Sequence, residues 1–124
     1  MAQLRLGAAD NPDMHFRKLE VYQVAIQALT CAARLGGEIP TGHGELRDQL
    51  RRASLSIALN IAEASGKTKP ADQQRFFAIA RGSAMECAAL VDACRVFGVG
   101  QQSLLEELDA RLLSAVRMLS KLAR

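Results

Sequence analysis

The sequence predicts an all-α fold, an up-down-up-down antiparallel four-helix bundle, and three observations support this prediction. Four long stretches repeat apolar residues at helical spacing. Short connections containing Gly or Pro separate them, and short connections favour antiparallel neighbours. Aromatic residues make up only 4% of the chain, so aliphatic residues and Ala, which favour helices, must fill the core. The 124 residues suit one domain.

The order of elements follows from the helical periods and the residues that interrupt them. Residues 1–15 show no sustained period, and we expect a mobile arm there. The bundle is then predicted over residues 16–124, with helices at about 16–35, 44–64, 70–97 and 102–122. In the first helix the predicted apolar side consists of Leu19, Tyr22, Ile26, Leu29 and Ala33.

Stop and start signals separate the helices. Gly66 is expected to end the second helix, and Pro70 suits the first turn of the third. Ser103 and Glu106 fit a capping box at the start of the last helix. That helix then repeats apolar residues at heptad spacing, namely Leu105, Leu108, Leu112, Ala115, Leu119 and Leu122.

The second helix carries apolar residues on two of its sides. The first side, which we assign to the core, consists of Leu46, Leu50, Ala53, Ile57, Ile61 and Ala64. The second side consists of Leu55, Ala58, Leu59 and Ala62. A surface helix of a small monomer usually has one apolar stripe. We therefore expect the second side to be an oligomer interface.

A line of polar residues runs beside the core stripe of the second helix. It consists of Arg52, Ser56, Asn60 and Glu63, and the third helix supplies Arg75, Ser83 and Glu86. If the two helices pack antiparallel about the Ser65–Lys69 turn, Arg52 lies opposite Ser83 and near Glu86.

The same register predicts an Arg52–Glu86 ion pair and a cluster of Asn60 and Glu63 with Arg75. Gly82 on the third helix would allow close approach of another backbone. We interpret the set as a buried polar network that fixes helix register. The alternative is a ligand-binding or catalytic site inside the bundle.

Candidate catalytic and metal-binding groups do not form a recognisable pattern. Carboxylates without a neighbouring nucleophile or His make a poor catalytic set, and neither His15 nor His43 supplies the Glu-x-x-His pair of a di-metal bundle. The three Cys lack metal-ligand spacing, and Cys87 and Cys94 fit a core face. We expect no enzyme activity, no cofactor and no metal.

The charge and the hydropathy of the chain indicate its surroundings. Net charge is +3, a surplus that permits a nucleic-acid partner without requiring one. The basic residues near the outer part of the second helix are Arg47, Arg51, Lys67 and Lys69. They fit either a solvated face or contacts with RNA or DNA phosphates. No stretch has the length of a membrane span or signal, which predicts a cytoplasmic protein with no membrane partner.

Three segments together resemble a known family. They are residues 16–25 (FRKLEVYQVA), residues 49–63 (QLRRASLSIALNIAE) and residues 75–86 (RFFAIARGSAME). The chain resembles, from Phe16 to Leu122, the four-helix-bundle proteins encoded in intervening sequences of 23S ribosomal RNA genes. The residues that match the hallmark of this family are Arg52, Asn60, Glu63, Arg81, Ser83 and Glu86. Ala64 and Ala84 depart from the usual Gly and Leu of the family.

The resemblance implies a cytosolic helical bundle without known enzymatic activity. A related branch is the accessory variability protein of diversity-generating retroelements, a homopentamer that works with a reverse transcriptase and nucleic acid. The leading hypothesis is therefore a homo-oligomer, expected as a pentamer, that serves as a binding or adaptor subunit for an RNA or nucleoprotein partner. The alternatives are a protein-only interaction module, or a small-ligand binder or enzyme that uses the Arg52, Glu63 and Glu86 cluster.

Overall fold

The computed structural model describes residues 6–8 and 11–124, and this part of the chain is all-α, without a strand. Its main elements are four α-helices, namely α1 (Glu20–Gly37), α2 (Gly44–Ser65), α3 (Pro70–Phe97) and α4 (Gln102–Leu122). Two short 3-10 helices precede α1 and α2, at Pro12–Lys18 and Thr41–His43. Each α-helix packs against the next in sequence, and α1 also packs against α4.

The N-terminal part differs from the predicted boundaries. Regular structure begins at Pro12, whose ring suits the first turn of a helix, and Asn11 caps that turn by accepting a hydrogen bond from the Asp13 amide. The extended backbone of Leu19 then separates this 3-10 helix from α1, so α1 begins at Glu20 rather than near residue 16. The predicted mobile arm includes residues 1–5 and 9–10, which lie outside the described residues.

The core stripes predicted for α2 and α4 are largely correct. All six predicted core residues of α2 are buried, and Ile57 and Ile61 are fully inaccessible. In α4 the heptad residues are buried up to Leu119, whereas Leu122 at the end of the helix remains 40% exposed. Cys87 and Cys94 lie in the core of α3, as their spacing indicates.

The apolar side predicted for α1 is only partly correct. Leu19, Tyr22 and Ile26 pack against the core but are not fully buried. The buried residues are mostly small and lie one or two positions away from the predicted ones, namely Val21, Ala25, Ala28, Cys31, Ala32 and Leu35. Of the predicted set, Ala33 is exposed and the other four are only half-buried. Alanine stripes allow neighbouring helices to approach closely, so the larger side chains lie at the margins of the contact.

The start of α4 is not held by the predicted capping box. The helix begins at Gln102, before Ser103, and the Gln101 N-cap side chain makes no capping hydrogen bond. Instead, Glu38 accepts a hydrogen bond from the Gln101 amide at 2.7 Å, which ties the end of α1 to the start of α4. A carboxylate at a helix N-terminus is favourable because it satisfies a free amide and the helix dipole.

A candidate interaction surface on helices α2 and α3

The polar residues predicted to form a buried network lie on an open surface. Arg52, Glu63, Arg75 and Glu86 are exposed, and the three uncharged members are half-buried. By their helical spacing they and neighbouring apolar residues share one side of α2 and one side of α3, and the Ser56–Ser83 hydrogen bond joins these two sides. We call this surface the α2/α3 face, and it consists of Arg52, Ser56, Leu59, Asn60, Glu63, Arg75, Ile79, Gly82, Ser83 and Glu86.

Hydroxyl and amide groups connect the two helices at the centre of the face. The Ser56 and Ser83 Oγ atoms lie 2.8 Å apart, and Asn60 Nδ2 donates to the Ser56 carbonyl at 2.8 Å and to Ser56 Oγ at 3.0 Å. Ser83 therefore lies opposite Ser56, one helical turn beyond the predicted partner Arg52. The prediction assumed a connection that is symmetric about its midpoint, and the observed register shows that residues 66–69 do not connect the helices in that way.

The predicted Arg52–Glu86 ion pair is absent from the described residues. No nitrogen of Arg52 lies within 4.0 Å of a carboxylate oxygen there. Both side chains instead line a small open cavity of about 290 Å³, together with Gln49 and Ser56. The opposite charges of Arg52 and Glu86 thus line the same open cavity without forming an ion pair.

The predicted contact of Asn60 and Glu63 with Arg75 takes a different form. Glu63 pairs with Lys67 at 3.2 Å, and no hydrogen bond or ion pair joins Arg75 to Asn60 or Glu63 within the described part of the chain. Two cations contact the ring of Phe76, with Lys67 Nζ at 5.1 Å and Arg75 Cζ at 4.8 Å from its centroid. Each exposed cation–π contact of this kind contributes about 0.5–1 kcal/mol.

The predicted oligomer interface is only partly accessible. Leu55 and Leu59 are 40% and 58% exposed, and Ala62 is half-buried. Ala58, however, is only 4% exposed. It belongs to the core of the single chain, and its assignment to the interface is wrong. The sequence groups Ile79 on α3 with Arg75, Gly82 and Glu86 but does not assign it to the oligomer interface, and this residue is 42% exposed on the α2/α3 face.

Gly82 lies within α3 and has no neighbour that requires a glycine. A Cβ added there would meet nothing within 4 Å. The close approach that we expected at Gly82 is therefore not made by another part of the described chain.

The four basic residues predicted to contact nucleic acid form two groups rather than one. Arg47 and Arg51 lie in the first half of α2, beside an open groove of about 550 Å³ formed with α1. Lys67 and Lys69 lie in the connection after α2. At 1.5 Å per residue, the 14 steps from Arg51 to the last helical residue, Ser65, span about 21 Å, so the two groups are separated by most of the length of α2. Glu63 already neutralises part of the charge of Lys67.

The chemistry of the thiols excludes them as ready nucleophiles. Burial, together with the negative charge of Glu107, raises the pKa of the Cys31 thiol to about 11. Burial likewise raises the pKa of the Cys87 thiol to about 12. Thiolate is the nucleophilic form, so both groups remain protonated and unreactive at neutral pH. No group of three His, Cys, Asp or Glu residues in the described ranges could hold a metal ion.

These observations define the class as a small all-α protein that presents a mixed polar and apolar surface on two adjacent helices. The model of the family described as 23S rRNA-intervening sequence protein matches residues 17–121, most of the chain. The chain therefore belongs to this family. A search of curated proteins found no match to the sequence. None of the helices in residues 6–8 and 11–124 has the length and apolar character that crossing a membrane requires.

The six residues on which the resemblance to the family was drawn from the sequence have two different environments in this structure. Five of the six lie on the α2/α3 face, namely Arg52, Asn60, Glu63, Ser83 and Glu86. The sixth, Arg81, lies on the other side of α3, where its Nε donates to Ser120 Oγ of α4 at 2.8 Å. The α2/α3 face is therefore the surface on which the functional proposal rests.

Proposed function

We propose that this protein is a non-enzymatic, cytoplasmic homo-oligomer that serves as a binding or adaptor subunit for an RNA or nucleoprotein partner. The scaffold is an up-down-up-down four-helix bundle, which agrees with the packing of each helix against its neighbours in sequence. The proposed order is a pentamer, by analogy with the accessory variability protein of diversity-generating retroelements. The α2/α3 face is the proposed contact between copies.

The observation that carries this proposal is the composition of the α2/α3 face. Leu59 and Ile79 are large aliphatic residues that stay about half-exposed in the single chain. Full burial of such a side chain contributes about 1.5–3 kcal/mol, so a partner surface that covers both would gain a substantial free energy. Arg52 and Glu86, which lack a strong intrachain bond, can form ion pairs with a second copy because the face carries charges of both signs.

The position of Gly82 supports the same conclusion. Glycine in a helix interior is less stable than alanine by about 0.5–1 kcal/mol, and no contact in the described chain compensates for this cost. A neighbouring copy that packs against the bare backbone at Gly82 would account for it.

Self-association is tested by light scattering on the purified protein and on two matched variants. Gly82→Arg places a long charged side chain on the α2/α3 face, and Ala110→Arg places the same side chain on the exposed side of α4. We expect an oligomer for the wild type and for Ala110→Arg, and a monomer with unchanged helicity for Gly82→Arg. A wild-type monomer, or a Gly82→Arg variant that remains fully assembled, would refute the proposed interface.

RNA binding is proposed through Arg47, Arg51, Lys67 and Lys69, by contacts to phosphates without reading of sequence. A titration of single-stranded RNA at several salt concentrations tests it, because binding to phosphates releases condensed counterions and this release becomes less favourable as the salt concentration rises. The slope of log affinity against log salt is negative. Arg51→Gln and Lys69→Gln should each reduce its magnitude by about one, and Arg117→Gln on α4 should leave it unchanged. Absence of binding at low salt would favour the alternative of a protein-only interaction module.

A further inference from the structure

A groove lies between α1 and α2, and we call it the α1/α2 groove. Its volume is about 550 Å³. The α1 wall extends from Leu29 to Gly37, and the α2 wall extends from Arg47 to Leu55. Eight steps of about 1.5 Å make each wall about 12 Å long, or roughly two helical turns. As far as the chain is described, the lining shares no residue with the α2/α3 face, so the groove is a separate surface.

Most of the lining of the groove is small or apolar. On α1, Ala33 and Gly37 are exposed, and a Cβ added at Gly37 would meet nothing within 4 Å. On α2, Leu55 is 40% exposed and lines this groove, although the sequence assigned it to the oligomer interface. Small residues allow another backbone to approach closely, and a partner that covers Leu55 removes apolar surface from water. The groove therefore favours a partner with an apolar side.

Two arginines lie on the α2 wall, one helical turn apart. The Nε atom of Arg47 lies 4.0 Å from Oδ1 of Asp48, which is the limit of an ion pair. Arg51 is exposed, and no nitrogen of its side chain lies within 4.0 Å of a carboxylate oxygen in the described ranges. Ser54 donates its hydroxyl hydrogen to the Arg51 carbonyl at 3.1 Å, so it is already satisfied. The polar part of the groove thus favours carboxylates, which pair with guanidinium groups through charge-assisted hydrogen bonds.

The open shape of the groove indicates which kind of acidic partner fits. A small molecule usually has most of its surface buried in its site, whereas this groove is open to solvent. An amphipathic helix needs cover on one face only, and its apolar residues recur at i, i+3, i+4 and i+7, over about two turns. Acidic residues one turn apart on such a helix lie about 6 Å from each other, which matches the spacing of Arg47 and Arg51. RNA phosphates would pair with the arginines but would gain nothing from the apolar lining.

We propose that the α1/α2 groove binds an amphipathic helix of a partner protein that carries two acidic residues one turn apart beside its apolar stripe. Arg51 pairs with one carboxylate and Arg47 with the other, while Leu29 and Leu55 contact the apolar stripe. A contact of about two turns is small, so the complex belongs to the weak, transient class of interfaces. The proposal does not rest on RNA binding or on assembly through the α2/α3 face.

A synthetic helical peptide of this design tests the proposal. The probe is an alanine-based peptide of about 20 residues with leucines at the helical spacing and glutamates in two successive turns, and the control peptide has lysines in place of the glutamates. NMR follows the amide signals of Gly36 and Gly37 in the groove and of Gly82 on the α2/α3 face. We expect the glutamate peptide to shift the two groove signals, with a dissociation constant of about 10 μM to 1 mM. The lysine peptide should bind about tenfold more weakly.

Variants with matched controls separate the charged contact from the apolar one. Arg51→Glu should weaken binding of the glutamate peptide about three- to tenfold and strengthen binding of the lysine peptide, whereas Arg117→Glu on the exposed side of α4 should do neither. Leu55→Gln should weaken binding of the glutamate peptide about three- to tenfold. Leu113→Gln, which changes a 51% exposed leucine on α4, should leave it unchanged. Far-UV circular dichroism confirms that each variant is folded.

Several results would overturn this proposal. A dissociation constant weaker than about 1 mM for the glutamate peptide is one, and equal binding of the two peptides is another, since the arginines would then not select the partner. Shifts confined to Gly82 would place the peptide on the α2/α3 face. Single-stranded RNA that shifts Gly36 and Gly37 where the peptide does not would assign the groove to RNA. Self-assembly that is lost in Leu55→Gln and kept in Gly82→Arg would assign the groove to a second copy of the chain.

Discussion

The two glycines between α3 and α4 allow the cost of overpacking to be separated from the cost of backbone strain. Gly98 and Gly100 both have positive φ, at +68° and +86°, so alanine is strained at either position by about 1–2 kcal/mol. A Cβ at Gly98 meets nothing within 4 Å. A Cβ at Gly100 would instead overlap the Cδ1 atom of Leu35, which is fully buried, and contact Leu105.

The predicted free-energy changes follow from this difference. Gly98→Ala should lower the free energy of unfolding by about 1–2 kcal/mol through the backbone alone. Gly100→Ala carries the same strain and adds about 1–3 kcal/mol for overpacking, because Leu35 cannot move into solvent. Gly100→Ala should therefore cost about 2–5 kcal/mol in total.

Urea unfolding followed by circular dichroism, at one fixed protein concentration, measures both variants. A double-mutant cycle with Leu35→Ala isolates the contact, because the smaller side chain makes room for the new methyl group. We expect the double variant to be more stable than the sum of the single losses implies. Equal losses for Gly98→Ala and Gly100→Ala, or strict additivity in the cycle, would show that Leu35 does not limit the space at Gly100.

Two further predictions concern a charged and a buried side chain. Arg52→Ala should change the free energy of unfolding by less than about 0.5 kcal/mol at a concentration where the protein is monomeric. The reason is that Arg52 is exposed and forms no ion pair with the described residues. A thermal melt in which the variant unfolds at a much lower temperature than the wild type would contradict this. Because folding raises the pKa values of Cys31 and Cys87 to about 11 and about 12, the folded state holds these protons more tightly than the unfolded chain does. Their contribution to stability is complete below about pH 9 and is lost as pH rises towards 12, so unfolding midpoints at about pH 8 and about pH 10.5 should differ less in Cys87→Ala than in the wild type.

The sequence predicts the helices well because their periods and their terminal residues agree. In α2, the core stripe has a clear helical period, and Gly66 and Pro70 mark where α2 ends and α3 begins. In α1, both the small and the large apolar residues show helical spacing. Only packing against the neighbouring helices determines that the small residues Ala25, Ala28 and Ala32 face the core.

The sequence predicted which residues lie together at the candidate site, but not that they are exposed to solvent. The residues Arg52, Ser56, Asn60, Glu63, Ser83 and Glu86 do lie together on adjacent helices, and the Ser56–Ser83 hydrogen bond links them. Their exposure depends on the rotation of α2 and α3 about their axes, and a shift of one turn in register removes the expected ion pair. Periodicity alone does not determine either quantity. The exposure of Ile79 was missed for the same reason.

The pattern of helix packing also has a consequence for the order of folding. In the described chain, α1 with α4 is the only pair of α-helices in contact that are distant in sequence. The buried Cys31 Sγ donates to the Leu104 carbonyl across that pair at 3.4 Å. The hairpin of α2 and α3 needs to close only a short loop, whereas contact between α1 and α4 must restrict most of the polypeptide. Docking of α4 on α1 should thus complete the native state, and its release should begin unfolding.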